Sequence, residues 1–146
     1  MDIGKELEAE GVNKSLLAEV RAFRDAHGVT EEMRGRIPSP RFVYYGKDVW
    51  EAAAAAVLCG ENLLLAGPKA TGKNVLAENL AALFGRPVWD ISMHINVDAA
   101  SLIGTDTLKG GEVCFREGPV CQCARLGGFG ILDEVNMAKN EALAVL

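Results

Sequence analysis

The eight residues Gly67-Pro68-Lys69-Ala70-Thr71-Gly72-Lys73-Asn74 constrain this 146-residue chain more than any other stretch. They fit the frame GxxxxGK and lack only the Ser or Thr that normally follows it. Glycines in such a frame let backbone N–H groups turn inward around an anion, and a helix starting at its end adds a positive pole. Lys73 supplies a point charge. The bare frame arises by chance, so its flanks decide the reading. Before it, Asn62-Leu63-Leu64-Leu65-Ala66 is a short continuous apolar run that suits a parallel strand covered on both faces. After it, Val75, Leu76, Leu80 and Leu83 recur at helical spacing from Asn74 to Phe84, and Gly85 with Pro87 ends that helix. Strand, glycine loop and helix come in the order a phosphate loop requires, so the sequence predicts binding of a nucleoside triphosphate, ATP with Mg2+ in first place. The plain alternative is an ordinary strand-to-helix turn with Lys73 solvated.

Two residues depart from the frame. A hydroxyl normally occupies the position of Asn74 and coordinates magnesium; an amide oxygen reaches a metal only with altered length and charge, so metal affinity should fall. Ala70 puts a β-carbon where glycine is common, which restricts the loop if φ must be positive there. Sixty residues after Lys73, the apolar run Phe129-Gly130-Ile131-Leu132 leads straight into Asp133 and Glu134. That is the arrangement of a Walker B element, in which Asp133 holds the magnesium shell and Glu134 polarises the attacking water. Taken alone, two acids after an apolar run are as readily the solvated end of a strand.

The other segments read as packing elements. Leu16, Val20 and Phe23 form a helical stripe between Asn13, a fitting N-cap, and His27, with Gly28 as the stop. Thr30 to Arg41 is a connector whose Pro38-Ser39-Pro40 favours extended chain. Asp48 to Cys59 contains an alanine run and predicts a helix opened by Asp48. Pro87 to Ile91 suits a second strand, and Asp98 suits the cap of a short helical turn through Leu102. Thr105–Leu108 and Glu112–Arg116 flank Lys109-Gly110-Gly111, which predicts a hairpin. Gly118 to Leu126 reads as a helix ended by Gly127-Gly128, and Met137 to Leu146 as the start of another. The domain division expected is therefore residues 1–29 as an N-terminal amphipathic helix, 30–42 as the connector and 43–146 as the nucleotide-binding domain.

Composition excludes several classes. Nearly half the residues are hydrophobic, enough for a real core in one domain. The net charge of −5 and the scattered Lys and Arg argue against a general nucleic-acid binder. No segment approaches the ~20 apolar residues needed to span a bilayer, and the start Met1-Asp2-Ile3-Gly4 lacks a signal peptide's basic region, so a cytoplasmic protein is expected. Cys59, Cys114, Cys121 and Cys123 form no CxxC pair, and reduced thiols are expected rather than a metal centre.

Four stretches together resemble the MoxR-like ATPases of the AAA+ group and their dynein-related and nitrite-reductase-activator relatives. They are Tyr44-Tyr45-Gly46-Lys47, the loop Gly67 to Asn74, Gly104 to Pro119, and Gly130-Ile131-Leu132-Asp133-Glu134-Val135-Asn136. The resemblance covers about residues 40 to 146 and implies an α/β fold: the three-layer P-loop NTPase core with a parallel sheet, plus the N-terminal helix. It also implies an ATP-driven remodeller that assembles as a ring, often with a von Willebrand type A partner, and works on a protein or metalloenzyme. By matched position, Val43 to Gly46, with Tyr44 and Tyr45, would line the adenine pocket. Gly67, Pro68, Lys69, Ala70, Thr71, Gly72, Lys73, Asn74 and Val75 would hold the phosphates, Asp133 and Asn74 the magnesium shell, and Glu134 the water. The hairpin around Gly110 resembles an insert that faces the central pore. From the residues alone, Tyr44 and Tyr45 read equally as core aromatics.

The chain stops about a dozen residues after Glu134, so the family's sensor strand, arginine finger and helical lid are not in it, and slow or absent hydrolysis by this chain alone is expected. In the family's sheet the sensor strand lies between the phosphate-loop strand and the Walker B strand. Two bare strand edges then predict self-association, strand exchange or a rearranged sheet. A rival from another class is a non-catalytic interaction module that keeps the nucleotide site as a switch. A small-molecule phosphotransferase is disfavoured, because no acceptor-substrate lid or second basic cluster follows the loop.

Overall fold

The computed structural model describes residues 2–146, which divide into two compact units, one ending at Pro87 and the other beginning at Val88. The first unit is helical: α1 (Ile3–Ala9), α2 (Lys14–Ala26), α3 (Glu31–Arg34), α4 (Lys47–Leu58) and α5 (Lys73–Phe84). The second mixes strand and helix: β1 (Val88–Ser92), α6 (Ala99–Ile103), β2 (Gly104–Lys109), β3 (Glu112–Glu117), α7 (Pro119–Leu126), β4 (Phe129–Asp133), a 3-10 turn (Val135–Met137) and α8 (Asn140–Leu143).

Capping chemistry sets several helix ends in the first unit. Asp2 accepts from the Lys5 N–H to open α1, and Asn13, the cap the sequence predicts, accepts from the Ser15 N–H to open α2. Gly85 ends α5 in the left-handed conformation at φ 63°. The core gathers Leu7 from α1, Leu17 and Val20 from α2, Trp50 from α4 and Leu76, Leu80 and Phe84 from α5, all buried. Phe23 meets Phe84 edge to face at 5.4 Å, a geometry that aligns ring edge with ring face. Helix α1 was not anticipated, and α3 forms inside the predicted connector: Glu31 and Glu32 occupy its first turn, where carboxylates favour the helix dipole, and it ends before Pro38.

The second unit holds two two-stranded sheets. Strands β1 and β4 pair in parallel, with Val88 opposite Phe129 and Ser92 opposite Asp133. Strands β2 and β3 form the predicted antiparallel hairpin around Gly110 and Gly111, both at positive φ. Asp98 caps α6 in a full capping box with Ser101. Gly118 approaches the Leu102 carbonyl so closely that an added β-carbon would lie 2.3 Å from its oxygen, which locks the hairpin's base against α6.

Two expectations need correction. Asn62–Ala66 forms no strand: the segment is irregular, Leu64 is 80% exposed and Leu63 38%. A parallel strand exists only when a neighbour supplies the other half of its ladder, and no strand among the described residues pairs with it. The helix expected from Met137 to Leu146 is reduced to the four residues of α8, because Ala138 and Lys139 adopt extended backbone that separates it from the preceding turn.

Candidate functional site

In the first unit the residues Gly67 to Asn74 form an exposed loop that runs into α5, and Lys73 is the first residue of that helix. Gly72 precedes it at φ 82°, a left-handed conformation that glycine adopts without steric cost. The Lys73 ammonium folds back over the loop and donates to the carbonyls of Gly67 at 3.0 Å and Pro68 at 2.7 Å. Thr71 Oγ1 donates to the same Pro68 carbonyl at 2.9 Å. An ammonium carries three protons, so one remains for an anion drawn to the loop. A helix cannot satisfy the amides of its own opening turn, and in α5 that turn follows directly on the glycine. Ala70 sits at φ 61°, the positive value that its β-carbon opposes.

The segment Phe42–Gly46 is held by side chains from two helices and from the C-cap of a third. Asn79 of α5 is fully buried; its Oδ1 accepts from the Tyr44 N–H at 2.9 Å and its Nδ2 donates to the Phe42 carbonyl at 3.0 Å. Trp50 Nε1 of α4 donates to the Tyr44 carbonyl at 2.8 Å. Glu10, just past α1, accepts from the Gly46 N–H through Oε1, while its Oε2 is buried without a partner. The Tyr44 ring lies between two glycines: a β-carbon on Gly72 would be 3.2 Å from Tyr44 Cδ2, and one on Gly46 would be 3.4 Å from Cε1. Tyr44 thus adjoins the loop, whereas Tyr45 is 69% exposed and takes no part in this packing.

Sequence reasoning did not find Asn79, Trp50 or Glu10. The signal for Asn79 was present: it occupies the apolar stripe of α5 with Leu76, Leu80 and Leu83, and a polar group on a buried stripe requires partners. Their identity was not readable, since they lie 35 and 37 residues away.

In the second unit β4 carries Asp133 at its last position and Glu134 just beyond it. Both acids are exposed. Asp133 Oδ1 accepts from the Glu134 N–H at 2.9 Å, and its backbone carbonyl accepts from the Met93 N–H at 2.9 Å. Glu134 holds φ 53°, one of two non-glycine residues at positive φ among the described residues, Ala70 in the loop being the other. Strain of this kind persists only where the surroundings enforce it, and it gathers at functional positions. No group of three or more His, Cys, Asp or Glu among the described residues is placed to hold a metal by itself. None of Cys59, Cys114, Cys121 and Cys123 is joined in a disulfide. A surface hollow of about 330 Å³ lined by Asn13, Ser15, Leu16, Glu19, Glu51 and Ala55 contains none of the predicted site residues, and its two carboxylates would repel a polyphosphate.

Residues 62–146 match the family model of the AAA domain, dynein-related subfamily. The chain belongs to this family, with the MoxR-like AAA+ ATPases. It is 37% identical to Protein NorQ of Paracoccus denitrificans (strain Pd 1222) over 124 residues, 84% of this chain and 44% of that protein. It is 35% identical over 111 residues to an uncharacterized protein of Staphylococcus haemolyticus (strain JCSC1435), covering 73% of this chain and 42% of that one. Against the uncharacterized protein YojN of Bacillus subtilis (strain 168) the figures are 37% over 98 residues, 64% of this chain and 32% of the relative. The chain therefore spans less than half the length of these curated relatives. Membership in the AAA family carries with it the α/β P-loop architecture, to which the parallel β1–β4 pair and its helices conform.

Proposed function

We propose that this AAA chain binds ATP with Mg2+ through Gly67–Asn74 and serves as the nucleotide-gripping part of an oligomeric, ATP-driven remodelling ATPase. The observation that carries the reading is the loop at the start of α5, where the Lys73 ammonium is gathered over the Gly67 and Pro68 carbonyls ahead of a left-handed Gly72. In this reading the amides of residues 68–75 and the Lys73 ammonium take the phosphates, Tyr44 and Tyr45 flank the base, and Asp133 with Asn74 holds the magnesium shell. Glu134 orients the attacking water. Bound magnesium would neutralise the charge that develops on the β and γ phosphate oxygens. The hairpin β2–β3 would contact the protein client, and a von Willebrand type A partner fits the same family pattern.

A second reading, a nucleotide-binding switch without turnover, draws on Asn74, whose amide replaces the metal-binding hydroxyl of the frame. Calorimetric titration of MgATP, run beside an assay of phosphate release, distinguishes the two when applied to the chain and its Glu134→Gln and Asn74→Thr variants. Faster release in Asn74→Thr and loss of release in Glu134→Gln are expected for the ATPase. Tight binding with release unchanged in both variants would support the switch, and no binding of MgATP at all would defeat both.

A further inference from the structure

We propose that Asn79, with Trp50 and Glu10, is a positioning clamp that fixes the Phe42–Gly46 segment to the phosphate-loop helix, so that recognition of the base depends on a buried amide that touches no ligand. The proposal rests on the nucleotide reading above and goes beyond it by naming what holds the base-side wall in place.

Both backbone polar groups of Tyr44 are tied to side chains, its N–H to Asn79 Oδ1 and its carbonyl to Trp50 Nε1. The same Asn79 amide reaches back to the Phe42 carbonyl, so it bonds alternate residues as a neighbouring strand would. The Gly46 N–H is held by Glu10. These anchors fix the backbone from residue 42 to 46 and leave the Tyr44 ring seated between Gly46 and Gly72, both at positive φ. An added β-carbon at Gly72 would press within 3.2 Å of that ring, so the loop glycine and the aromatic wall are fitted to one another.

Asn79 and Lys73 belong to the same helix, six residues or ~9 Å apart along its axis. Asn79 itself is wholly buried and can meet neither phosphate nor base. A clamp and a simple core hydrogen bond then differ in what they do to ligands. Losing a core hydrogen bond weakens every ligand of the unit alike, whereas losing the clamp weakens only ligands that carry a base.

The experiment compares MgATP with inorganic tripolyphosphate by calorimetry on the full chain, its Asn79→Leu variant and its Tyr44→Ala variant. Tyr44 is half-buried, so its truncation leaves the core intact if Asn79→Leu fails to fold. The expected result is a loss of ~10-fold or more in MgATP affinity, a tenfold change being the effect of one lost orienting contact, with tripolyphosphate affinity unchanged within about twofold. Equal loss for both ligands, or no loss for either, in a variant that melts cooperatively overturns the clamp while leaving the nucleotide reading intact. A wild-type chain that binds neither ligand overturns the nucleotide reading itself and the clamp with it.

Discussion

Ala70 holds φ 61°, a conformation that costs an L-residue with a β-carbon roughly 1–2 kcal/mol. Glycine would remove that cost but add ~0.4–1 kcal/mol of unfolded-chain entropy. The Ala70→Gly variant should therefore be more stable by up to ~1.6 kcal/mol, seen as a melting temperature raised by no more than ~6 °C. A lower melting temperature would show that the loop draws on the methyl group for packing. At the same scale, the Lys73 ammonium should move from the Gly67 and Pro68 carbonyls to phosphate when nucleotide binds. Lys73→Ala is expected to weaken MgATP by ~1.5–3 kcal/mol, the usual worth of a hydrogen bond to a charged group, read from the same titrations. The loop frame, the Asn74 departure and the acidic pair were all legible as residue types, because the chemistry of each is carried by its own side chain. The anchors of the Phe42–Gly46 segment were not, because a side chain's type does not announce its partner, and those of Asn79 and Glu10 lie 35 to 37 positions away.

Among the elements, α6 shows how a local rule reaches a measurable quantity. The Ser101 backbone N–H, and after it the Ser101 hydroxyl, hold the Asp98 carboxyl below its ordinary value of 3.8. A carboxylate whose pKa is lower folded than unfolded contributes stability above the unfolded value and loses it as pH falls through the folded one. The protection of the Ala99–Leu102 amides against exchange, taken relative to the intrinsic rate at each pH, should thus fall on acidification below about pH 4. Asp98→Asn, which keeps a capping oxygen without a titrating group, should remove that acid sensitivity; an acid response surviving in the variant would place its origin elsewhere. The segment Asn62–Ala66 is the contrasting case. Its apolar run predicts a buried strand, yet a ladder belongs to a pair of segments and none of the described strands pairs with it. The hairpin needed no such help, since Gly110 and Gly111 supply both positive φ values of its turn and its partner strand is two residues away.

For the whole molecule, the exposed Leu63 and Leu64 lie on a segment whose backbone has no ladder, and Leu108, Val113 and Phe115 are exposed on one face of the β2–β3 hairpin. Unpaired backbone beside apolar side chains recruits another strand, and lysine on such an edge suppresses pairing. We expect light scattering to give a particle heavier than one chain, and Leu64→Lys to shift it toward monomer mass. A wild-type particle of monomer mass at all concentrations would refute the edge argument. No helix among the described residues is long and apolar enough to cross a membrane.

What the linear order of residues determined by itself was everything that acts over a few positions: the loop frame, the caps at Asn13 and Asp98, the Gly110-Gly111 turn and the helix stop at Gly85. Backbone torsion and capping depend on neighbours within one or two turns, so the residues concerned stand side by side in the chain. The tertiary structure alone decided that Asn62–Ala66 forms no strand and that Asn79 binds the Tyr44 backbone. Both outcomes hang on hydrogen-bond partners distant in sequence, and a donor or acceptor is satisfied only by a group that folding brings within ~3 Å of it.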